Sequence, residues 1–322
     1  MVAVTSSDPE MESSVVVASP LSQSPMGLDV IFEKFLDSHD VSASSRGTYR
    51  RQLKQFSVWL QLTDRLSSLS ALKRDSILAY KTWLHDSGKS AHSVGGYLVA
   101  VRRLFSWLES EKLYPNIARD IKGPKKPKGF RKDCLTISQI KSALASLQGS
   151  DIEQVRDYAL VNLLVRTGLR TIEVAGATVG DLRQESGEAV LWIKGKGRDS
   201  KDDFVLLMEE TLGPIRKYLA SRGPLSEDAP LFASLSDKNL GEAMCTRSIS
   251  RIVKETFKSI GLDDRRLTAH SLRHTAVTLA IKGGASLQQA QAMARHTDPK
   301  TTMIYFHNLD RVKSGAERFI QI

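Results

Sequence analysis

Cysteine is almost missing from this chain: its 322 residues include only Cys134 and Cys245. They lie far apart and form no C-x-x-C pair, which excludes a zinc ribbon and a disulfide scaffold and fits a reducing cytoplasm. Long apolar runs are missing as well. The longest near the start, Val15 to Ala18, follows no basic residue and is far too short to cross a bilayer, so neither export nor a membrane anchor is expected. Residues 1–26 lack Lys and Arg altogether. With their Ser, Pro and isolated Val and no amphipathic period, they are expected to form a disordered tail. No G-x-x-x-x-G-K-[ST] loop occurs, and no carboxylate cluster of the kind that holds Mg²⁺ in nucleases and polymerases. The sequence therefore predicts no cofactor and no metal.

What is present is positive charge. Lys and Arg number 46 against 36 Asp and Glu, for a formal charge of +10, which points to a polyanionic partner, nucleic acid first. A hydrophobic content of 41% over this length is enough for two domains, each with a core.

Helical periodicity begins at Leu28. Ile31, Phe35 and Leu36 mark a first helix, and Tyr49, Leu53, Phe56 and Leu60 a second, capped by Ser44 or Ser45. Ile77, Tyr80, Trp83 and Leu84 mark a third that ends near Ser87-Gly88, and Val94, Leu98, Val101, Leu104, Phe105 and Leu108 a fourth. Basic residues recur on their polar faces: Arg46, Arg50, Arg51 and Lys54, then Arg102 and Arg103. The stretch "KGPKKPKGFRK" follows, with Lys122, Lys125, Lys126, Lys128, Arg131 and Lys132 and no acid. Its Gly and Pro predict an extended linker whose charges can lie along a phosphate backbone. The expected organisation is a tail over 1–26, a helical DNA-binding domain over 27–115, a basic linker over 116–133 and a second domain over 134–322.

That second domain opens with a helix in "LTISQIKSALASL", capped by Thr136 or Ser138, and a further helix that stops at Gly168. "AVLWIKGKGRDSKDDFVLL" reads as two β-runs around a charged, glycine-rich turn. The remainder is again helical, and Asp298-Pro299 signals a new short helix carrying Tyr305. The expected fold is mainly α with a small β-sheet, an α+β arrangement.

Local signals for chemistry follow one another: "RTGLRTIEVAG", "KGKG", "HSLRHT" and "RHTDPKTTMIY". His270 and His274 have the i, i+4 spacing of a metal pair, but the Glu of H-E-x-x-H is missing and Arg273 would repel a cation. Taken in order, these motifs resemble the tyrosine recombinase family, which includes phage integrases and Xer-type enzymes. The resemblance covers roughly residues 28–322 and is specific in the second domain.

Residue by residue, the resemblance implies a catalytic set of Arg170, Lys196, His270, Arg273, His296 and Tyr305, with Glu173 as the accompanying acid. Two guanidiniums, Arg170 and Arg273, would hold the non-bridging oxygens of a phosphodiester. His270 would manage the tyrosine's proton, His296 would donate to a non-bridging oxygen and Lys196 would protonate the leaving 5′-oxygen. Tyr305 would form a 3′-phosphotyrosine that stores the energy of the broken bond. Lys194 and Lys201 remain alternatives for the acid. Arg295 stands where the family commonly has Gly, and either alters the turn or adds a phosphate contact.

The implied function is site-specific recombination in integration, excision or cointegrate resolution of a mobile element. The implied partners are double-stranded DNA with paired half-sites, a homotetramer on that DNA and an accessory protein. "RVKSGAERFIQI", residues 311–322, is expected to form an amphipathic helix that docks on a neighbouring protomer. The rival readings are a type IB topoisomerase-like enzyme and a DNA-binding accessory factor without chemistry.

Overall fold

The computed structural model describes residues 27–65, 71–125, 134–195, 197–198, 200–313 and 316–320, with backbone alone over 308–313 and at 316. The tail expected over 1–26 lies outside the described residues. The backbone divides into two units, Met1–Lys128 and Gly129–Ile322. It is mainly helical, with a small antiparallel sheet in the second unit.

In the first unit, α1 (Leu28–Ser38), α2 (Ala43–Leu62), α3 (Arg74–Asp86) and α4 (Ala91–Ser110) bury the stripes that the periodicity marks. Phe35, Leu36, Leu53, Phe56, Leu60, Ile77, Tyr80, Leu98 and Leu104 are fully buried. Phe56 stacks on Trp59 and meets Tyr80 edge-on, so aromatic rings tie α2 to α3. The cap of α2 is Ser42, whose Oγ accepts from Ser45 N at 3.3 Å. Ser44 and Ser45, the candidates from sequence, already lie within the first turn, where a side chain cannot cap its own helix.

In the second unit, α5 (Ile137–Ala145) is capped by Thr136 in a reciprocal box with Gln139. α6 (Ile152–Thr167) is buried almost all round, which places it at the centre of the core. Gly168 ends it with φ +63°, a left-handed cap, and α7 (Thr171–Ala175) starts immediately after.

The sheet has three strands: β1 (Leu182–Glu185), β2 (Glu188–Lys194) and β3 (Lys201–Leu206), in sequence order and antiparallel. The hairpin expected from sequence is β2–β3. β1 was not anticipated, because "LRQE" has no apolar alternation; the Ser186-Gly187 turn, with φ of 50° and 85°, was its only local signal. Leu191, Ile193 and Val205 face the core. Among the described residues, five further helices follow: α8 (Glu209–Ser221), α9 (Thr246–Ser259), α10 (Ala269–Lys282), α11 (Leu287–Ala294) and α12 (Pro299–Lys313).

Residues 311–313 are the last turn of α12, and a short 3₁₀ turn follows at Ala316–Phe319. Among the described residues of the helix expected over 311–322, the first three continue α12 and the next four form the 3₁₀ turn. Phe319 and Ile320 stand 80% and 65% exposed.

Candidate active site

The "TGLR" motif works as one device. Gly168 turns the chain out of α6, buried Leu169 anchors it, and Arg170 becomes the N-cap of α7. Glu173 closes this turn: its Oε2 accepts from the Arg170 backbone N at 2.7 Å, and its Oε1 from Arg170 Nη1 at 2.6 Å. The Glu173 side chain is fully buried. Burial pushes its carboxyl up, but Arg295 and Arg170 more than reverse this, and it ends below the ordinary carboxylate range.

α10 presents His270, Arg273 and His274 within one turn. Arg273 is 2% exposed and reaches back over a hundred residues of chain, where its Nη1 donates to Gly168 O at 2.6 Å. Its Nη2 donates to Ala294 O. Arg170 Nη2 lies 3.4 Å from the next carbonyl, Arg295 O. Both guanidiniums thus converge on the end of α11. Burial, then Arg170 and Arg295, lowers Arg273 to about 10, so it remains a cation at neutral pH.

His296 follows directly. Its Nδ1 pairs with Thr302 Oγ1 at 2.8 Å, and Thr302 is fully buried in the first turn of α12. If Thr302 is the donor in this pair, Nε2 carries the ring proton, the tautomer that can donate to a phosphate oxygen. Burial and the nearby cations Arg273, Arg170 and Arg295 depress His296 to about 4, so the ring is neutral at physiological pH.

Tyr305 lies in α12, which starts as expected: Asp298 Oδ1 accepts from Lys300 N at 2.9 Å. The tyrosine is 3% exposed, and its hydroxyl is hydrogen-bonded to His274 Nδ1. Burial raises the phenol's pKa well above its ordinary value, with Arg273 opposing. The phenol therefore keeps its proton in this setting. His296 stacks on the same ring with centroids 6.3 Å apart, and the His270 ring lies 4.7 Å from that of His274. The i, i+4 spacing of His270 and His274, weighed from sequence only as a metal pair, is the signal that His274 shares the face of α10 that carries His270.

Of the hairpin lysines, Lys196 lies outside the described residues. Lys201 Nζ pairs with Asp181 Oδ2 at 2.5 Å, and Asp181 is 2% exposed, so Lys201 satisfies a buried carboxylate at the base of the sheet. Lys194 is exposed at the end of β2. Of the two parts expected of Arg295, the turn is visible, since the residue ends α11 in a left-handed conformation; its guanidinium turns inward to Glu173 Oε2 at 3.0 Å.

On the first unit, Arg51 and Lys54 are exposed on α2. Arg50 pairs with Glu33 at 2.5 Å and Arg46 with Asp37 at 3.5 Å. Arg103 lies over the Tyr49 ring. Arg102 donates to Leu98 O and Ile121 O at 3.2 and 3.4 Å, and Lys122 and Lys125 are exposed. Lys126, Lys128, Arg131 and Lys132 lie outside the described residues.

Two arginines, histidines and a tyrosine gathered at the end of α11, in a mainly helical unit with a small sheet, define a class: the tyrosine-type site-specific recombinases, which break and rejoin DNA strands. Residues 133–311 match the phage integrase family, and residues 31–112 match the phage integrase N-terminal SAM-like domain. The chain belongs to the phage integrase family. It is 32% identical to the tyrosine recombinase XerD of Proteus mirabilis, over 87% of this chain and 88% of that one. The XerD of Yersinia pestis is 29% identical, over 86% and 92%. Among solved structures, the fold is similar to the XerH site-specific recombinase bound to palindromic difH substrate in a post-cleavage complex, with a TM-score of 0.70 at 22% identity over 89% of this chain and 84% of that one. It is also similar to the Tn1549 transposon integrase in complex with transposon right end DNA, with a TM-score of 0.67 at 18% identity over 90% and 100%. No helix among the described residues is long and apolar enough to cross a membrane.

Proposed function

We propose that Tyr305 attacks a DNA phosphodiester and forms a 3′-phosphotyrosine, in a reaction that integrates, excises or resolves a mobile element. The bond made is Tyr305 Oη to phosphorus and the bond broken is phosphorus to the 5′-oxygen. The phenolic proton passes to a histidine, and Lys196 protonates the departing oxygen. Arg170 and Arg273 hold the charge that develops on the non-bridging oxygens, and His296 donates to one of them from Nε2. Attack by a new 5′-hydroxyl reverses these steps, so the strand is rejoined without an external energy source.

The observation that carries this reading is the convergence of Arg170, Arg273, His296 and Tyr305, from three separate stretches of sequence, around the end of α11. The buried tyrosine hydroxyl fits a resting protein in which the nucleophile must leave His274 before it can reach a phosphate.

The partner is duplex DNA with paired half-sites. Residues 27–115 act as the core-binding domain, 116–133 as a basic linker along the backbone and 134–322 as the catalytic domain, with an active assembly of four protomers and an accessory protein, in the cytoplasm. Arg46, Arg50, Arg51, Lys54, Arg102, Arg103 and the lysines and arginines of the linker contact phosphates. Exposed Phe319 and Ile320 support docking of the terminal segment on a neighbouring protomer.

A nicked suicide substrate, run on a denaturing gel, tests the reading. Wild-type protein traps a covalent adduct, whereas Tyr305→Phe binds the same DNA and traps none. An adduct formed by the Phe variant overturns the assignment.

A further inference from the structure

Arg295 ends α11 with φ 50° and ψ 48°, a left-handed conformation that glycine adopts freely and arginine does not. Its side chain is only 6% exposed, and Nε is buried without a hydrogen-bond partner. A strained backbone and an orphan buried donor persist only where the surroundings over-determine them, and such outliers gather at functional sites.

What holds Arg295 is a closed ring. Nη2 donates to Glu173 Oε2 at 3.0 Å, and Nη1 to Met293 O at 2.7 Å. Glu173 grips Arg170 through both its backbone N and its Nη1, and Arg170 Nη2 returns to the Arg295 carbonyl at 3.4 Å. The preceding carbonyl, Ala294 O, accepts from Arg273. Successive carbonyls at the twisted end of α11 thus seat the two arginines, and His296 is the next residue along. The backbone twist aims the carbonyls, and the Arg295 side chain pins that twist to the carboxylate that orients Arg170.

We propose that Arg295 is a positioning residue for strand cleavage: its buried ion pair with Glu173 locks the end of α11, and thereby seats Arg170 and Arg273 and aims His296. The proposal rests on the phosphotyrosine reading above. The Arg295 guanidinium is taken up by Glu173 and the Met293 carbonyl. As a cation beside a buried carboxylate, it also leaves Arg170 with a share of its charge free for the substrate.

Glycine and lysine at this position separate the proposal from a purely local role. If residue 295 merely caps a helix, Arg295→Gly relieves strain and should match or exceed Arg295→Lys in every assay. If the side chain positions the clamp, Lys, which keeps a cation for Glu173, must cleave faster than Gly. We expect single-turnover cleavage of a nicked half-site by Arg295→Gly to fall on the order of 10–100-fold, because small misplacements of reacting groups have such effects. Half-site affinity should be unchanged, and Arg295→Lys should recover part of the rate.

Cleavage by the glycine variant at the wild-type rate, or faster than the lysine variant, overturns the proposal. Circular dichroism checks that the glycine variant folds; should it not, Arg295→Met takes its place against Lys, with the same outcomes deciding. Wild-type protein runs alongside. No adduct from wild type overturns the phosphotyrosine reading and this proposal together, whereas a wild-type adduct with an equally fast glycine variant overturns positioning alone.

Discussion

Tyr305 illustrates how one side chain serves both packing and chemistry. Its ring is buried with Val277 and Ala294, and its hydroxyl is held by His274, so in the resting fold it behaves as a core tyrosine. Its neighbour His296 has a measurable consequence. A histidine whose folded pKa of about 4 lies below the unfolded value of about 6.5 binds its proton more readily when unfolded. Its contribution to stability is therefore full above the unfolded pKa and is lost as pH falls from about 6.5 toward 4. Urea midpoints at pH 7 and pH 5 should differ less for His296→Gln than for wild type; an identical pH response would show that the ring is not the responsive group. The hairpin acid is tested at the same scale. Lys196→Ala should cleave slowly on ordinary DNA and recover on a substrate whose 5′-oxygen is sulfur, since a thiolate leaves without a proton. Recovery by Lys194→Ala or Lys201→Ala in place of Lys196→Ala would reassign the acid, and for Lys201 it would conflict with the pairing to Asp181.

At the scale of elements, the junction of α6 and α7 decides where the first arginine points. Gly168 is left-handed, and a Cβ there would meet Ala276 Cβ at 3.4 Å, which is ordinary contact, so backbone strain and not crowding sets the cost of a side chain. Gly168→Ala should lose about 1–2 kcal/mol of stability from that strain. Because Gly168 O accepts from Arg273, cleavage should slow as well. A urea titration with an unchanged midpoint, or an unchanged cleavage rate, would show that the turn tolerates alanine. The sheet is anchored in a similar way. Lys201 on β3 neutralises Asp181 in the turn before β1, so the hairpin is tied to the body of the unit through a buried charge that only a partner can make tolerable.

For the whole molecule, charge and the end of the chain matter most. With a formal charge of +10, affinity for DNA should fall as salt rises, to an extent set by the number of phosphate contacts that release counterions. The exposed Phe319 and Ile320 are apolar side chains near the end of the chain, at 80% and 65% exposure. Deleting residues 311–322 should leave binding to a single half-site intact while abolishing cooperative occupation of a two-arm site and strand exchange. Gel-shift titration on both kinds of site checks this, and undiminished cooperativity together with normal recombination would refute the docking role.

Local order was written into the sequence. The apolar stripes of α1 to α4 match the buried residues except Tyr49 and Trp83, which are half-buried against the same core, and Thr136 and Asp298 stand where they start helices. Gly168 ends α6, and the apolar runs of β2 and β3 pair as a hairpin. Each depends on interactions within a few residues, which spacing and turn chemistry report directly. The catalytic set could be drawn up from sequence only through likeness to a family. Periodicity says which face of a helix is buried, and never which distant face it meets. That Arg273 returns to Gly168, that the phenol rests on His274 and that Arg295 turns inward to Glu173 are decided by packing between α6, α10, α11 and α12. These contacts join residues 31 to 122 positions apart, and their strength comes from exclusion of water, which exists only once the unit has closed around them.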